Sequence, residues 1–537
     1  MLRLSVAVAA AALLAGLASA ATVTGTPRAD VLRGTARADV LDGRGGSDTL
    51  LGLTGADVIV GGAGRDTIAG GKGDDRVPAH GDGTRDRIGC GPGRDIVTAD
   101  TSDVVQRDCE VVSRQISSDR TTDPIGQHAT QAEPDTFAFG STIVSVFQSG
   151  RAFGGGAVAI GFSTSRDAGA TWRTGLLPGV SDSSPQPGPS ERASDPVVAY
   201  DALHGTWLTA ALGISERTNS YYLYVNRSQN GVTWSTPVAA VTGSTGDLDK
   251  EWIACDNGTA SPFRGHCYLS YFHVPSGELR TTTSTDGGLT WSTPVASTPV
   301  PPRGAEFNGA QPVALPDGTL VIVYTAFAEA NSGFENEIAA TRSRDGGATF
   351  SAPARVSLFS TASIPAMRTF ALVSAEVDAA GRAYVVWEGC AGGGTCSASR
   401  IVMSTSVDGV SWTPAQAVTT GSQAVDHFLP GIGANPAANG RLALVYHSIP
   451  DDCANVAGCP GIDVFQTRSA DGGRTWSKQQ RLTAESIELD SIARTRLGLM
   501  LADYVSTSFV RGRPVSVFML ASPRISGRFR QATFAYR

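Results

Sequence analysis

Residues 165–172 read SRDAGATW, and variants of this stretch return five more times down the chain. They are SQNGVTW ending at Trp234, STDGGLTW at Trp291, SRDGGATF at Phe350, SVDGVSW at Trp412 and SADGGRTW at Trp476. The closing aromatics stand 62, 57, 59, 62 and 64 residues apart, the spacing of one supersecondary unit copied along a chain. In every copy a short side chain (Asp167, Asn230, Asp286, Asp345, Asp408 or Asp471) is followed within two residues by glycine. That pairing suits a tight turn, since the side-chain oxygen accepts from backbone amides and glycine tolerates positive φ. The aromatic then opens the next strand and anchors it.

Working outward, three strand-like runs precede each turn. PVVAYD (196–201), WLTAALG (207–213) and YYLYVNRS (221–228) form one triplet, and EWIACD (251–256), CYLSYFH (267–273) and LRTTTS (279–284) the next. Similar triplets follow, and MLADYVS, VSVFMLA and FRQATFAY after residue 499 make a last one without the turn motif. Four antiparallel strands repeated radially would close into a ring without sheet edges. The turns resemble the Asp-box, S-x-D-x-G-x-T-W, of sialidase-like β-propellers, with four copies complete and those at Asn230 and Asp408 one residue short. The resemblance implies an all-β propeller over 134–537 with the boxes on outer hairpins. Seven blades are favoured, with six as the alternative.

A finer repeat occupies 21–113. Asp30, Asp39, Asp48, Asp57, Asp66 and Asp75 stand nine residues apart, each followed two places on by Leu, Ile or Val. GGAGRDTIA (61–69) and GGKGDDRVP (70–78) match G-G-x-G-x-D-x-U-x in full, where U is a large apolar residue. This resembles the calcium-binding β-roll of repeats-in-toxin proteins, a parallel β-solenoid. The resemblance implies Ca2+ as the cofactor, with Asp39, Asp48, Asp57, Asp66, Asp75 and Asp95 as ligands beside glycine-turn carbonyls. The first copies, TPRADVLRG and TARADVLDG, lack the glycines, so the row is clearest from Asp48 to Asp75. So thin an interior buries too little to fold unaided, which couples metal to folding.

The 537 residues suffice for more than one domain, and 63 glycines with short Val/Ile/Thr/Tyr runs favour strands over helices. A net charge of -7 gives no reason to expect a nucleic-acid partner. Residues 1–20 carry Arg3, an apolar run and Ala-Ser-Ala, which reads as a secretory signal. No later apolar run is long enough for a transmembrane helix. The eight cysteines fall into the local pairs Cys90/Cys109, Cys255/Cys267, Cys390/Cys396 and Cys453/Cys459, as disulfides of an exported protein would. Polar residues 114–133 read as a linker.

Chemistry is expected where the loops entering the first run of each triplet converge. They supply Arg192 and Asp195, Asp249 and Lys250, Arg303 and Glu306, Arg368, and Arg494. Arginines from separate blades can grip a carboxylate with paired hydrogen bonds. The sialidase resemblance implies an arginine grip drawn from Arg192, Arg303, Arg368 and Arg494, an acid/base at Asp195 or Asp249, and Tyr504 as nucleophile helped by Glu306. The opening arginine of that family has no counterpart, since the first blade begins AEPDTFAF. Two readings therefore stay open for a secreted, monomeric, calcium-binding protein. One is recognition of extracellular glycans or glycoproteins, and the other is exo-sialidase-type glycoside hydrolysis.

Overall fold

The computed structural model describes residues 20–537 apart from 120, 302–304, 331–332, 363, 365–366, 392–395, 422–423, 451–452 and 454–458. The signal-like stretch, except residue 20, and Arg303 lie outside the described residues. The chain is all-β and divides into two compact units, residues 1–97 with 102–111, and residues 98–101 with 112–537.

The first unit is a parallel β-solenoid. Strands Thr22–Thr24, Val40–Asp42, Val58–Val60 and Arg76–Ala79 stack in register along one side. Val31–Arg33, Thr49–Thr54, Thr67–Lys72, Arg87–Gly89 and Val104–Val105 stack along the other. Two nine-residue repeats therefore make one turn of the coil. Each strand contributes one apolar side chain inward, and Leu32, Leu41, Leu50, Ile59, Ile68, Val77 and Ile88 form a core one residue thick. Cys90 and Cys109 are disulfide-bonded within this unit.

The second unit is a chain of antiparallel meanders. Gly126–Phe139, Thr142–Ala152, Ala157–Ser165 and Arg173–Leu176 pair in sequence order. Arg192–Asp201, Leu248–Cys255, Ala305–Ala314, Ser374–Val377, Val425–Ala434 and Ser506–Val510 each open a further meander. Each opening strand packs against the next, and Ser506–Val510 packs against Gly126–Phe139, so the row closes on itself. The last meander, completed by Arg513–Ala521 and Gln531–Tyr536, takes its outer strand from residues 113–115, which pair antiparallel with 534–536. Of the stretch read as a linker, residues 114–115 thus belong to that outer strand and 126–133 to the first opening strand.

The six turns, five on aspartate and one on Asn230, share the core of one hydrogen-bond set. At the first, the Ser165 hydroxyl donates to Asp167 Oδ1 at 2.8 Å, Thr171 N donates to Oδ1 at 2.8 Å, and the Thr171 hydroxyl donates to Oδ2 at 2.6 Å. Asp286, Asp345 and Asp471 repeat it, and Asn230 and Asp408 keep its core. Three further disulfides, Cys255–Cys267, Cys390–Cys396 and Cys453–Cys459, complete the expected local pairs.

Candidate functional site

In the solenoid, the aspartates stand where each strand begins, and their two carboxylate oxygens differ in what they meet. Oδ1 of Asp48 accepts from the Asp30 amide at 2.7 Å, and Asp57, Asp66, Asp75 and Asp95 accept likewise from Asp39, Asp48, Asp57 and Asp75. Oδ2 of Asp48, Asp57, Asp66, Asp75 and Asp95 is buried without any hydrogen-bond partner. A buried, unpaired carboxylate oxygen is costly unless something cationic meets it. A methyl group added at Gly43 would collide with both Asp48 Oδ2 and the Gly61 carbonyl oxygen, and one at Gly52 with Asp57 Oδ2 and the Gly70 carbonyl. Carboxylate and carbonyl oxygens therefore converge on one small space per turn, the donor set a hard divalent cation prefers. Among the described residues no three Asp, Glu, His or Cys side chains are arranged to hold a metal ion by themselves. The residues fit Ca2+, which would neutralise the stacked carboxylates.

Electrostatics divide these turns. Burial pushes the Asp66, Asp75 and Asp95 carboxyls up to about 6 and raises Asp57. Asp30 is instead held low by the Thr26 amide and hydroxyl. Asp39 is lowered too, because the Ala21 and Thr35 amides outweigh its desolvation.

In the second unit, five of the seven opening strands carry bulges at one shared place. Glu133, Asp195, Lys250 and Leu429 sit there with φ of 52°, 50°, 49° and 49°, and Gly309 with 64°. Left-handed backbone costs a non-glycine residue about 1–3 kcal/mol and re-aims its side chain. Here it brings three charges together. Lys250 Nζ lies 2.8 Å from Asp195 Oδ1, 2.5 Å from Asp503 Oδ2 and 3.4 Å from Glu133 Oε1, and Arg368 Nη2 lies 2.6 Å from the same Asp503 oxygen. A cavity of about 440 Å3 opens over this cluster, and Arg151, Arg192, Arg368, Arg496, Asp195 and Asp249 are among its lining residues.

Of the residues singled out in the sequence, Arg192, Arg368, Asp195 and Asp249 meet in that cavity. Arg192 is held by Glu216 at 2.5 Å and by the Gly155 carbonyl. Arg494 is exposed and does not line the cavity, and Glu306 is exposed on Ala305–Ala314. Tyr504 corrects the expectation for the nucleophile. It is buried, its ring packs edge-on against Trp252, and its hydroxyl donates to the Pro196 carbonyl at 2.9 Å. Burial raises its pKa, the reverse of activation. Three members escaped the sequence reading: Glu133, Asp503 and the buried Arg151, whose Nη1 donates to the Met500 carbonyl at 3.1 Å. Arg151 lies on Thr142–Ala152 of the first meander. Glu133-Pro134 and Asp195-Pro196 share a charge-before-proline pattern that could have placed Glu133 in line with Asp195.

Protonation shapes the cavity further. Burial, then Asp195, pushes Asp249 up to about 7, and burial pushes Glu133 up to about 8 despite Lys250. Asp503 stays low because Lys250 and Arg368 outweigh its desolvation. The cations Arg151, Arg192, Lys250, Arg368 and Arg496 line the same walls as Asp249 and Glu133.

Residues 24–57 and 51–77 match the model of the RTX calcium-binding nonapeptide repeat, so this segment consists of calcium-binding repeats. No curated protein matches the chain. Among solved structures, the chain is similar to an ulvan lyase of polysaccharide lyase family PL25, with 11% identity over 78% of this chain and 94% of that one and a TM-score of 0.47. An α-L-arabinofuranosidase from Fusarium graminearum aligns with 13% identity over 79% and 96%, at a TM-score of 0.41. A Hadza microbial sialidase aligns with 16% identity over 76% and 66%, at 0.37.

Proposed function

We propose that this is a secreted, calcium-stabilised protein whose second unit is a seven-bladed β-propeller that recognises acidic extracellular glycans. The blade count is supported by seven opening strands in one closed row, with residues 113–115 completing the last sheet. Secretion is supported by the signal-like start and four disulfides. Among the described residues no helix is long and apolar enough to cross a membrane.

The observation that carries the ligand class is the cavity over Lys250. Its arginines come from separate sheets, its volume suits one or two sugar units, and its charge is positive while Asp249 and Glu133 hold their protons. Calorimetric titration with sialylated, uronic and neutral oligosaccharides tests it. Acidic sugars bind, neutral ones do not, and Arg192→Ala weakens binding by roughly 10–100-fold. Equal affinity for neutral sugars would end this reading.

One observation favours hydrolysis as a second reading. Asp249 keeps its proton to about 7 on the wall of the cavity, and so is poised as an acid toward a bound sugar. Release of fluorophore from an acidic glycoside, lost in Asp249→Asn, supports it. Turnover that survives that change would remove Asp249 from the role.

A further inference from the structure

The calcium-repeat match covers 24–77 as a whole, yet its turns are not alike. In those ending at Asp48, Asp57, Asp66 and Asp75 the chain passes through left-handed backbone twice, at Arg44 and Gly46, Leu53 and Gly55, Gly62 and Gly64, and Gly71 and Gly73. The corresponding residues Thr26, Arg28, Thr35 and Arg37 show no positive φ. Thr26 N and its hydroxyl instead donate to Asp30 Oδ2 at 2.6 and 2.8 Å. Thr35 N and its hydroxyl donate to Asp39 Oδ2 at 2.5 and 2.9 Å. The oxygen left orphaned in later turns is thus satisfied by threonine in the first two.

Past the matched segment, Asp95 again has a buried Oδ2 without a partner, and Gly91 again has φ of 92°. The turn ending at Asp86 differs, since the Thr84 hydroxyl donates to the Gly64 carbonyl at 2.7 Å and takes up an oxygen of that turn.

We propose that Thr26 and Thr35 stand in for the cation in the first two turns, so that calcium is seated only at the turns ending in Asp48, Asp57, Asp66, Asp75 and Asp95. Asp39, a ligand by spacing, has its second oxygen already taken by the Thr35 amide and hydroxyl. The metal-requiring stretch is then bracketed by devices that need no metal: threonine turns at its start and the Cys90–Cys109 disulfide at its end. A solenoid with so thin a core gains from a preformed end, because each added turn needs a neighbour to stack on.

The test counts calcium ions per full-length chain by native mass spectrometry, with calcium alone as probe. Asp39→Asn retains the wild-type number and Asp66→Asn loses one. Thr35→Gly combined with Arg37→Gly opens a seat at Asp39 and gains one, whereas Thr35→Ser, which keeps the hydroxyl, gains none. Far-ultraviolet circular dichroism confirms that each variant is folded before counting. A calcium lost in Asp39→Asn, or none lost in Asp66→Asn, overturns the assignment. So does an unchanged number in the folded double-glycine variant.

Discussion

Both units are built on repeated aspartate-glycine turns, yet the aspartates do opposite work. In the ring, Asp286 has every oxygen satisfied locally: Ser284 and the Leu289 and Thr290 amides bind one, and the Thr290 hydroxyl binds the other at 2.6 Å. In the solenoid, Asp66 receives one amide on Oδ1 and nothing on Oδ2. A threonine four residues away separates the two states. With it the aspartate is a self-contained staple, and without it the turn is incomplete until a cation arrives. A glycine-rich turn is therefore not by itself a metal site, and the partner of the second oxygen decides.

The strongest way to break this comparison is to withdraw calcium from the full chain. One seat filled at a hundredfold excess over Kd contributes ~2.7 kcal/mol, and several seats together exceed what a one-residue-thick core supplies. Hydrogen exchange in Thr49–Thr54 and Thr67–Lys72 accelerates by orders of magnitude in chelator, while that in Thr206–Ser215 does not change. Equal acceleration in both, or in neither, would show that the two kinds of turn do not differ as described.

Next in size is the ring's own charge cluster. Lys250→Met leaves Glu133, Asp195 and Asp503 without their shared cation. Breaking a buried ion pair from one side costs roughly 3–5 kcal/mol. The expected result is a lower denaturation midpoint for the second unit, with calcium binding untouched. A smaller loss, below about 1 kcal/mol, would mean that water already screens the cluster.

A weaker effect comes from pH. Asp249 and Glu133 have folded pKa values raised to about 7 and about 8, so any stability they lend is present at low pH and lost as pH rises through those values. Their deprotonation also adds two negative charges to the cavity. Affinity for an acidic sugar should fall by roughly tenfold between pH 6 and pH 9. Asp249→Asn flattens the profile near 7, and an unchanged profile in that variant would remove Asp249 as the titrating group.

Much of this was legible in the chain itself. Spacing of aromatic-closed turns marked the repeated sheets, and nine-residue spacing marked the solenoid, because both periods are local and backbone-driven. What sequence could not show was set by contacts across long separations. Arg151 reaches the Met500 carbonyl and Asp503 reaches Lys250, partners hundreds of residues apart that only ring closure unites. The sialidase resemblance implied Tyr504 as nucleophile, but its hydroxyl is committed to the Pro196 carbonyl, 308 residues away. Asp39 kept the period yet not the empty oxygen, and the sign lay in Thr35, four residues earlier.

The smallest effect sharpens the comparison most. Each region has turns with a non-glycine residue where counterparts carry left-handed glycine: Arg44 at 67° and Leu53 at 82° where Gly62 and Gly71 stand, and Ala168 at 60° where Gly287 stands. Glycine there relieves about 1 kcal/mol of strain or more but loses side-chain contact and about 0.5–1 kcal/mol of chain entropy. Leu53→Gly is expected to stabilise the solenoid by at most ~1 kcal/mol. Ala168→Gly should gain less, since the Ala168 methyl is buried against Ile116 and Ile143. The informative measurement is the calcium dependence of each gain. Strain at Leu53 lies in a turn whose second oxygen waits for the cation, so relieving it should lower the calcium midpoint as well as raise the denaturation midpoint. Ala168 sits in a turn that is already closed, and its gain should be the same with calcium or with chelator. A calcium-independent gain at Leu53 would separate backbone strain from the metal seat and leave the orphan oxygen alone to carry the distinction.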